Sequence, residues 1–240
     1  MSVLVVTGTG TGVGKTVVTA AVAALALTRG VTVAVVKPAQ TGVGPDEPGD
    51  LEDVRRLAGV TDLHEHARYP DPLSPASAAR NAGRAALDLG DTTRLVQSVA
   101  TDRGLVLVEG AGGLLVRYDE EGATIADLAY RLDAPLLVVA DPGLGTLNHT
   151  ALTLEAMAHR GLVLAGVVLG SWPTNPDLAC RRNVRDLEML SARPLSGAMP
   201  AGAGHLDAAE FLLAARAGLG PDLGGAFDAA DFRRASDRAT

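Results

Sequence analysis

Residues 5–18 read VVTGTGTGVGKTVV, a stretch in which a run of Gly and Thr, followed by Lys15 and Thr16, separates two apolar segments. Glycine has no side chain to pack and adopts backbone angles that other residues avoid, so this run forms a turn. The β-branched residues before it are typical of a buried strand, and the apolar residues after Lys15 recur at helical spacing. The sequence therefore predicts a strand, a glycine-rich turn and a helix, in that order.

Short apolar runs and longer amphipathic runs alternate along the rest of the chain, which is the pattern of strand–helix–strand crossovers. The predicted strands lie at residues 3–6, 32–36, 105–108, 136–140 and 163–169, with a further short one near 195–199. The predicted helices lie at residues 15–28, 51–58, 92–100 and 147–159.

The composition favours a parallel sheet covered by helices. Hydrophobic residues make up 47% of the 240 residues but aromatic residues only 3%, so Val, Leu and Ala must fill the core. We expect a three-layer α/β fold with a mostly parallel sheet and helices on both faces. Residues 1–217 are predicted to form a single domain, and residues 218–240 a tail that is either a helix or frayed.

Charge and cysteine content exclude several functional classes. A net charge of -7 at pH 7 argues against a protein that coats nucleic acid or an anionic membrane, because such binding needs a basic surface. The single cysteine, Cys180, can form no internal disulfide. No apolar run approaches the roughly 20 residues that span a bilayer, and no signal-peptide pattern is present. We therefore expect a cytoplasmic protein that binds neither nucleic acid nor membrane.

The glycine-rich turn is suited to binding phosphate. Consecutive backbone N–H groups turn inward in such a loop, and the N-terminus of the following helix adds its dipole. Lys15 supplies a mobile cation for the outer phosphates, and the Thr16 hydroxyl can ligate Mg²⁺. The loop is longer than the standard phosphate loop, because five residues instead of four separate Gly8 from Gly14. A turn without a ligand is the alternative, and the Lys-Thr pair at the start of the helix argues against it.

Charged residues also follow two other predicted strands. Lys37 begins KPAQTG after the second strand, and Glu109 begins EGAGG after the run LVLV. Because the carboxyl ends of parallel strands meet at one edge, Lys37 should face the same crevice as Lys15, and Glu109 is placed to ligate Mg²⁺. Asp50, in PGDLEDVRRL, is either a helix N-cap or a metal ligand, and the two roles are compatible. The alternatives are a solvated lysine before a proline and a glutamate that only ends a strand.

These segments together resemble the dethiobiotin synthetase family over most of residues 3–200. The similar motifs are VTGTGTGVGKT, KPAQTG, VEGAGGLLV and GLGTLNH. The resemblance implies a P-loop NTPase-like fold, a homodimer with a shared active site, and a cyclo-ligase that takes part in biotin biosynthesis. Such an enzyme uses ATP, Mg²⁺ and CO2 or bicarbonate to close a ureido ring on 7,8-diaminopelargonic acid, through a carbamate and a carbamic-phosphoric anhydride, to give dethiobiotin.

The resemblance also implies roles for individual residues. Lys37 would hold the carbamate and the incoming phosphoryl group, Lys15 the phosphates, and Thr11 would complete the catalytic set. The metal ligands would be Thr16, Asp50 and Glu109. The substrate would contact Lys37, Thr41 and, from the partner subunit, Gly145, Thr146, Leu147 and Asn148. The nucleotide would contact Gly12, Val13, Gly14, Lys15, Thr16, Val17, Asp50, Glu109, Gly110, Ala111, Gly112, Gly170, Ser171, Pro200, Ala201 and Gly202.

Some positions depart from the family pattern, and others allow a second interpretation. Gly170 and Ser171 stand where members often have Asn-Asp, and glycine has no amide with which to read a base edge. We therefore expect weaker selectivity for adenine, so that ATP or another nucleoside triphosphate could serve as co-substrate. Asn148 could be only a helix cap. His64 and His66, in LHEHA, are expected to lie in a polar loop and not to form a metal pair.

Two rival functions keep a similar fold. One is a dimeric nucleotide-dependent switch of the deviant-loop ATPase group, which would carry an extra lysine near the start of the loop, where this chain has Thr9 and Gly10. The other is an amide-forming synthetase that acts on a tetrapyrrole and would need a glutaminase domain with a reactive cysteine. A switch should hydrolyse nucleotide slowly without a small-molecule substrate, whereas a synthetase should require one.

Overall fold

The computed structural model of the protein describes residues 2–238, which contain one sheet of seven parallel strands. The order across the sheet is β3-β2-β4-β1-β5-β6-β7, so the first strand lies at the centre. The strands are β1 Ser2–Gly8, β2 Val33–Thr41, β3 Asp62–Tyr69, β4 Leu105–Gly113, β5 Leu136–Ala140, β6 Leu164–Trp172 and β7 Gly197–Pro200.

Helices cover both faces of the sheet. The helices within the described part of the chain are α1 Lys15–Thr28, α2 Asp50–Ala58, α3 Pro75–Asn81, α4 Leu89–Ala100, α5 Ile125–Arg131, α6 Thr146–His159, α7 Leu178–Ser191, α8 Ala208–Gly218 and α9 Ala229–Arg238. Helices α1, α2 and α8 pack on one face, and α3 to α7 contribute to the core of the other. The predicted three-layer α/β fold is confirmed.

Adjacent residues of the central strands enter different cores. Val5 and Val36 belong to one hydrophobic cluster, whereas Val6 and Val35 belong to the other. Side chains alternate between the two faces of a strand, and here both faces are buried. Val, Leu and Ala dominate both clusters, as the low aromatic content predicts.

The expectation of a polar loop at His64 and His66 is wrong, because both residues lie in β3, at the edge of the sheet. His64 Nε2 lies 2.7 Å from Asp62 Oδ1, and His66 Nδ1 lies 2.8 Å from Thr92 Oγ1. An edge strand tolerates polar residues, so the sequence DLHEHARY lacks the apolar run that marks a buried strand. In residues 2–238, no group of three His, Cys, Asp or Glu side chains could hold a metal ion.

The sequence also missed helices α3, α5, α7 and α8, whose patterns are short or lie close to glycine and proline. Bounds of the predicted helices agree with the structure to within three residues. The observed strands continue beyond their predicted carboxyl ends, except β5, which ends at residue 140 as predicted. None of the helices within residues 2–238 is long and apolar enough to cross a membrane.

The segment after α8 returns to the sheet and ends in α9. Leu219 forms an antiparallel bridge with Gly197 of β7. The Phe232 ring of α9 packs edge-on against Trp172, with ring centroids 4.8 Å apart. Arg233 donates a 2.5 Å hydrogen bond to Glu188 of α7. Aromatic packing and an ion pair therefore attach α9 to β6 and α7.

Phe211→Ala should strongly destabilise the protein, because Phe211 is fully buried between α8 and the sheet. We expect the free energy of unfolding to fall by about 3–5 kcal/mol in a urea titration. Leu213→Ala, two residues along the same helix, removes a side chain that is 70% exposed and should change stability by less than about 0.5 kcal/mol. Equal losses for the two variants would contradict this assignment of the core.

Candidate active site

Strand register brings charged residues of β2 and β4 to the same level of the sheet. Val36 is opposite Val108, so Lys37 and Glu109 follow side by side. On the other side of β4, Glu109 is opposite Val6 of β1, whose end opens into the phosphate loop. The three strand ends therefore converge at the carboxyl edge, where open α/β sheets bind ligands.

Lys37 is buried between two carboxylates. Only 3% of the side chain is exposed, and its Nζ donates hydrogen bonds to Asp50 Oδ2 and to Glu109 Oε1, the latter at 2.7 Å. Burial alone would lower the pKa of Lys37, but the charges of Glu109 and Asp50 outweigh it and raise the pKa above its usual value. Burial would likewise raise the pKa of Asp50, and Lys37 outweighs that effect and lowers it. Lys37 is therefore a permanent cation at neutral pH.

Lys15 lies at the start of α1 and turns back onto its own loop. Its Nζ donates a 3.0 Å hydrogen bond to the carbonyl of Gly10. Burial, together with the neighbouring charge of Lys37, lowers the pKa of Lys15 to about 8. Two cations thus share one small site, an arrangement that is suited to a ligand with several negative charges.

The phosphate loop is tightly packed against β6 at two glycines. Gly14 has a φ of 94°, which favours glycine, and a Cβ there would lie 2.5 Å from the Gly170 carbonyl oxygen. A Cβ at Gly170 would lie 1.9 Å from the Val13 carbonyl oxygen. The backbone of the loop therefore leaves no room for a side chain at position 170, which is a physical reason for the departure from Asn that the sequence shows.

The site offers oxygen donors that fit a magnesium ion. The Thr16 hydroxyl donates a 2.9 Å hydrogen bond to Glu109 Oε1, while Glu109 Oε2 is buried and has no hydrogen-bond partner. The Asp50 carboxylate lies at the same lysine and is partly exposed to the cavity. Carboxylate and hydroxyl oxygens are the ligands that Mg²⁺ prefers. The buried oxygen without a partner is the observation that favours a cation here.

A cavity of about 570 Å³ opens beside these charges. It is lined by most of the predicted residues of the loop and strand ends, namely Thr11, Gly12, Gly14, Lys15, Thr16, Val17, Lys37, Thr41, Asp50, Glu109, Ala111 and Gly112. The sequence did not predict seven further lining residues, namely Ala39, Gln40, Pro72, Leu73, Ser74, Pro75 and Val116. Residues 72–75 follow the missed strand β3, so recognising that strand would have placed them at the ligand edge.

The predicted contacts to a base lie beside the loop and outside this cavity. Ala201 donates a 2.7 Å hydrogen bond from its backbone N–H to the Trp172 carbonyl, which holds residues 200–202 near the end of β6. A Cβ at Gly204, just after this segment, would lie 3.3 Å from Val17 Cγ2. Gly170 thus lies against the loop at Val13, Ser171 follows it in β6, and the residues just after 200–202 lie close to Val17 of α1.

The predicted substrate residues 145–148 do not line the cavity of their own chain. They form the start of α6, where Gly145 is the N-cap and Asn148 is exposed. The alternative that Asn148 is a helix cap is therefore wrong. Asp50 is not an N-cap either, because Gly49 holds that position and the Asp50 carboxylate is directed to Lys37.

Tyr118 holds the backbone of β4 close to Glu109, a role that the sequence did not reveal. Its side chain is fully buried, and its hydroxyl accepts a 2.8 Å hydrogen bond from the backbone N–H of Ala111. This contact fixes the backbone two residues after Glu109. An aromatic residue in a loop after a glycine run was the available signal, but a single tyrosine has no distinctive spacing.

Lys37→Ala should destabilise the protein, since it leaves the fully buried Glu109 carboxylate without its cation. We expect a loss of about 3–5 kcal/mol in the free energy of unfolding, measured by urea denaturation without metal or nucleotide. The double variant Lys37→Ala/Glu109→Ala should lose less than the single variant because no buried charge remains unpaired. A double variant that is less stable than Lys37→Ala would contradict this account of the pair.

Two solved structures illustrate the fold. The septum site-determining protein MinD complexed with Mg-ADP, from Pyrococcus horikoshii OT3, has a TM-score of 0.57 and 14% identity, covering 93% of this chain and 94% of that chain. A ParA family ATPase from Chlorobium tepidum has a TM-score of 0.55 and 15% identity, covering 99% of each chain. At such identities the likeness shows the fold alone, and it supports the P-loop α/β architecture.

Other proteins share much more sequence identity with this chain than these two structures do. A family model described as an AAA domain matches residues 2–204. The ATP-dependent dethiobiotin synthetase BioD of a Parafrankia species is 67% identical over 234 residues, which is 98% of each chain. The protein of the same name from Streptomyces coelicolor is 59% identical over 232 residues, covering 97% of this chain and 98% of its own. Since these matches span nearly the whole chain, the resemblance of the motifs is confirmed, and the protein belongs to the ATP-dependent dethiobiotin synthetase family.

Proposed function

We propose that this protein is a dethiobiotin synthetase, a ligase that closes the ureido ring of dethiobiotin in biotin biosynthesis at the expense of ATP. The observation that carries the proposal is Lys37, a buried cation held by Glu109 and Asp50 beside Lys15 and a cavity of about 570 Å³. This geometry offers two cations, two carboxylates and room for a nucleotide phosphate chain next to a small substrate. The full-length relatives support the same reaction.

The proposed reaction has three bond-forming steps. An amine nitrogen of 7,8-diaminopelargonic acid attacks CO2 and gives a carbamate with loss of a proton. A carbamate oxygen attacks the γ-phosphorus of ATP, and ADP leaves. The second amine then attacks the carbonyl carbon of the mixed anhydride, so that inorganic phosphate leaves and the five-membered ring closes. Carbamate, γ-phosphate and diphosphate are all anionic, so the barrier falls mainly through positioning and charge stabilisation.

Each cation has a distinct place in this scheme. Lys37 lies at the strand ends and binds the carbamate and the phosphoryl group that moves to it, while Lys15 binds the outer phosphates from the loop. Thr11 and Thr41 line the same cavity and supply hydroxyl groups for orientation. Neither lysine needs to act as a nucleophile. Thr16, Asp50 and Glu109 would hold Mg²⁺, which offsets phosphate charge when bound.

The site is proposed to be shared across a homodimer. Residues 145–148 lie outside the cavity of their own chain, although the first turn of a helix presents backbone N–H groups that suit a substrate carboxylate. Two leucines near this turn are exposed, Leu144 by 93% and Leu152 by 56%. A second copy of the chain would cover these leucines and receive residues 145–148 at its own cavity.

The rival switch function has weaker support. MinD and ParA share the fold at 14–15% identity, which carries no function to this chain. Thr9 and Gly10 stand where that group has its additional lysine, and the last described helix, α9, carries acidic and basic residues in mixture. We also propose that the protein acts in the cytoplasm, where its metabolite substrates are found.

Release of phosphate from ATP should depend on the diamine substrate, 7,8-diaminopelargonic acid. With ATP, Mg²⁺ and bicarbonate, we expect steady release only when 7,8-diaminopelargonic acid is present, because the carbamate is the phosphoryl acceptor. Parallel reactions with GTP, CTP and UTP measure the base selectivity that Gly170 leaves open. Asp62→Asn, at the amino end of β3 and outside the cavity lining, serves as a control that should keep this dependence. Equal release with and without the diamine would overturn the synthetase and favour a nucleotide switch.

Mixing two defective variants should restore activity if the site is shared. Lys37→Gln lacks the lysine of its own chain, whereas Asn148→Asp places a negative charge where the partner's substrate carboxylate would bind. After subunit exchange, one of the two sites in each mixed dimer is intact, so we expect recovery of about a quarter of the wild-type rate. No recovery, despite exchange demonstrated by native mass spectrometry, would show that each chain supplies both residues to one site.

A further inference from the structure

Residues 42–49 connect β2 to α2 and bring Asp50 to Lys37. Their sequence is GVGPDEPG, and no residue of the segment is buried. A connection with no buried residue has no hydrophobic anchor in the core, and its glycines give it additional freedom. Other contacts must therefore fix the position of Asp50, which belongs to the lysine and metal cluster.

Arg68, on the edge strand β3, supplies the first of these contacts. Its Nη1 donates to the backbone carbonyls of Gly44 and Glu47, at 2.8 and 2.6 Å. Its Nε and Nη2 donate to the two carboxylate oxygens of Glu65, at 2.6 and 2.8 Å. Glu65 thus orients the guanidinium in a bidentate pair, and the remaining nitrogen holds the connection at two points.

Gln40 supplies the second contact, at the end of the segment. Its Oε1 accepts a 3.0 Å hydrogen bond from the backbone N–H of Asp50, and the side chain is buried. A Cβ at Gly49 would lie 3.0 Å from both Gln40 Oε1 and Arg68 Nη2. The two anchors therefore meet at the residue directly before Asp50, where only glycine leaves them space.

We propose that Arg68, oriented by Glu65, is a positioning residue that fixes residues 42–49 and so places the Asp50 carboxylate for metal and nucleotide binding. Arg68 does not line the cavity, so its effect passes through Asp50. The proposal deepens the proposed function and rests on it for the role of Asp50 as a metal ligand. Groups that orient a ligand from outside the coordination sphere commonly change metal affinity by about 10–100-fold.

A second ion pair that involves β3 provides a matched control. Arg103 donates a 2.5 Å hydrogen bond to Asp62 at the other end of β3, and neither residue contacts residues 42–50 in any hydrogen bond or ion pair of the described chain. If Arg68 only stabilised the edge strand by an ion pair, Arg103→Ala and Arg68→Ala should have similar effects. If it positions Asp50, only Arg68→Ala should alter metal binding.

The test uses Arg68→Ala, Arg68→Lys, Glu65→Gln and Arg103→Ala in the full chain. Hydrogen exchange of peptides covering residues 42–50 reports the segment directly, and calorimetric titration of Mn²⁺ into protein with ADP reports metal affinity. We expect faster exchange in this segment and about tenfold weaker Mn²⁺ binding for both Arg68 variants, with a smaller change for Glu65→Gln. Arg103→Ala should leave both quantities unchanged. Unaltered exchange at residues 42–50 in Arg68→Ala would overturn the proposal.

A double-mutant cycle with Asp50→Ala separates positioning from general stabilisation. When residue 50 has no side-chain oxygen to ligate the metal, Arg68→Ala should cause no further loss of Mn²⁺ affinity, whereas independent losses that add would contradict action through Asp50. If Arg68→Ala does not fold, Arg68→Lys or Glu65→Gln takes its place in the double-mutant cycle with the Asp50 variant. These measurements need no diamine. A protein that fails as a synthetase but shows the cycle would therefore refute the proposed function and keep the positioning role.

Discussion

The buried ammonium group of Lys37 is the interaction on which the rest of the site depends. A cation that is removed from water is stable only with partners of opposite charge in good geometry, and Glu109 and Asp50 provide them. Glu109 reaches Lys37 because β2 and β4 are neighbours in register, whereas Asp50 arrives from the connection that follows β2. Strand order, register and one surface connection must therefore all be correct before the charge can be buried.

Two groups beside this pair offer contacts that a ligand could use. Glu109 Oε2 is buried without a hydrogen-bond partner, and Lys15 Nζ donates to the carbonyl of Gly10 in the loop. Gln40 and Arg68 hold the exposed connection that leads to Asp50, the first residue of α2. The preorganisation that phosphoryl transfer needs is thus built from contacts outside the cavity as well as within it.

Sequence patterns predicted the parts of this structure that have strong periodicity or special chemistry. Buried strands and the Lys-Thr helix start were found because β-branched runs and glycine turns have few other interpretations. The strand DLHEHARY was missed, since an edge strand needs no apolar face, and with it were missed Arg68 and the lining residues 72–75. Tyr118 and Gln40 could not be recognised because their importance lies in contacts to backbone atoms that are distant or hidden in the fold. The proposed role of residues 145–148 would need a second copy of the chain, and only the resemblance to the family, not the spacing of the residues, suggested it.

The most direct test of the account is to follow a ¹³C label from bicarbonate into the product. Purified protein would be incubated with ATP, Mg²⁺, ¹³C-bicarbonate and 7,8-diaminopelargonic acid, and the products analysed by mass spectrometry and phosphate assay. The account predicts dethiobiotin that carries the single labelled carbon, formed in equal amounts with ADP and inorganic phosphate. Hydrolysis of ATP without labelled dethiobiotin would contradict the claim that Lys37 and its carboxylates serve ureido ring closure.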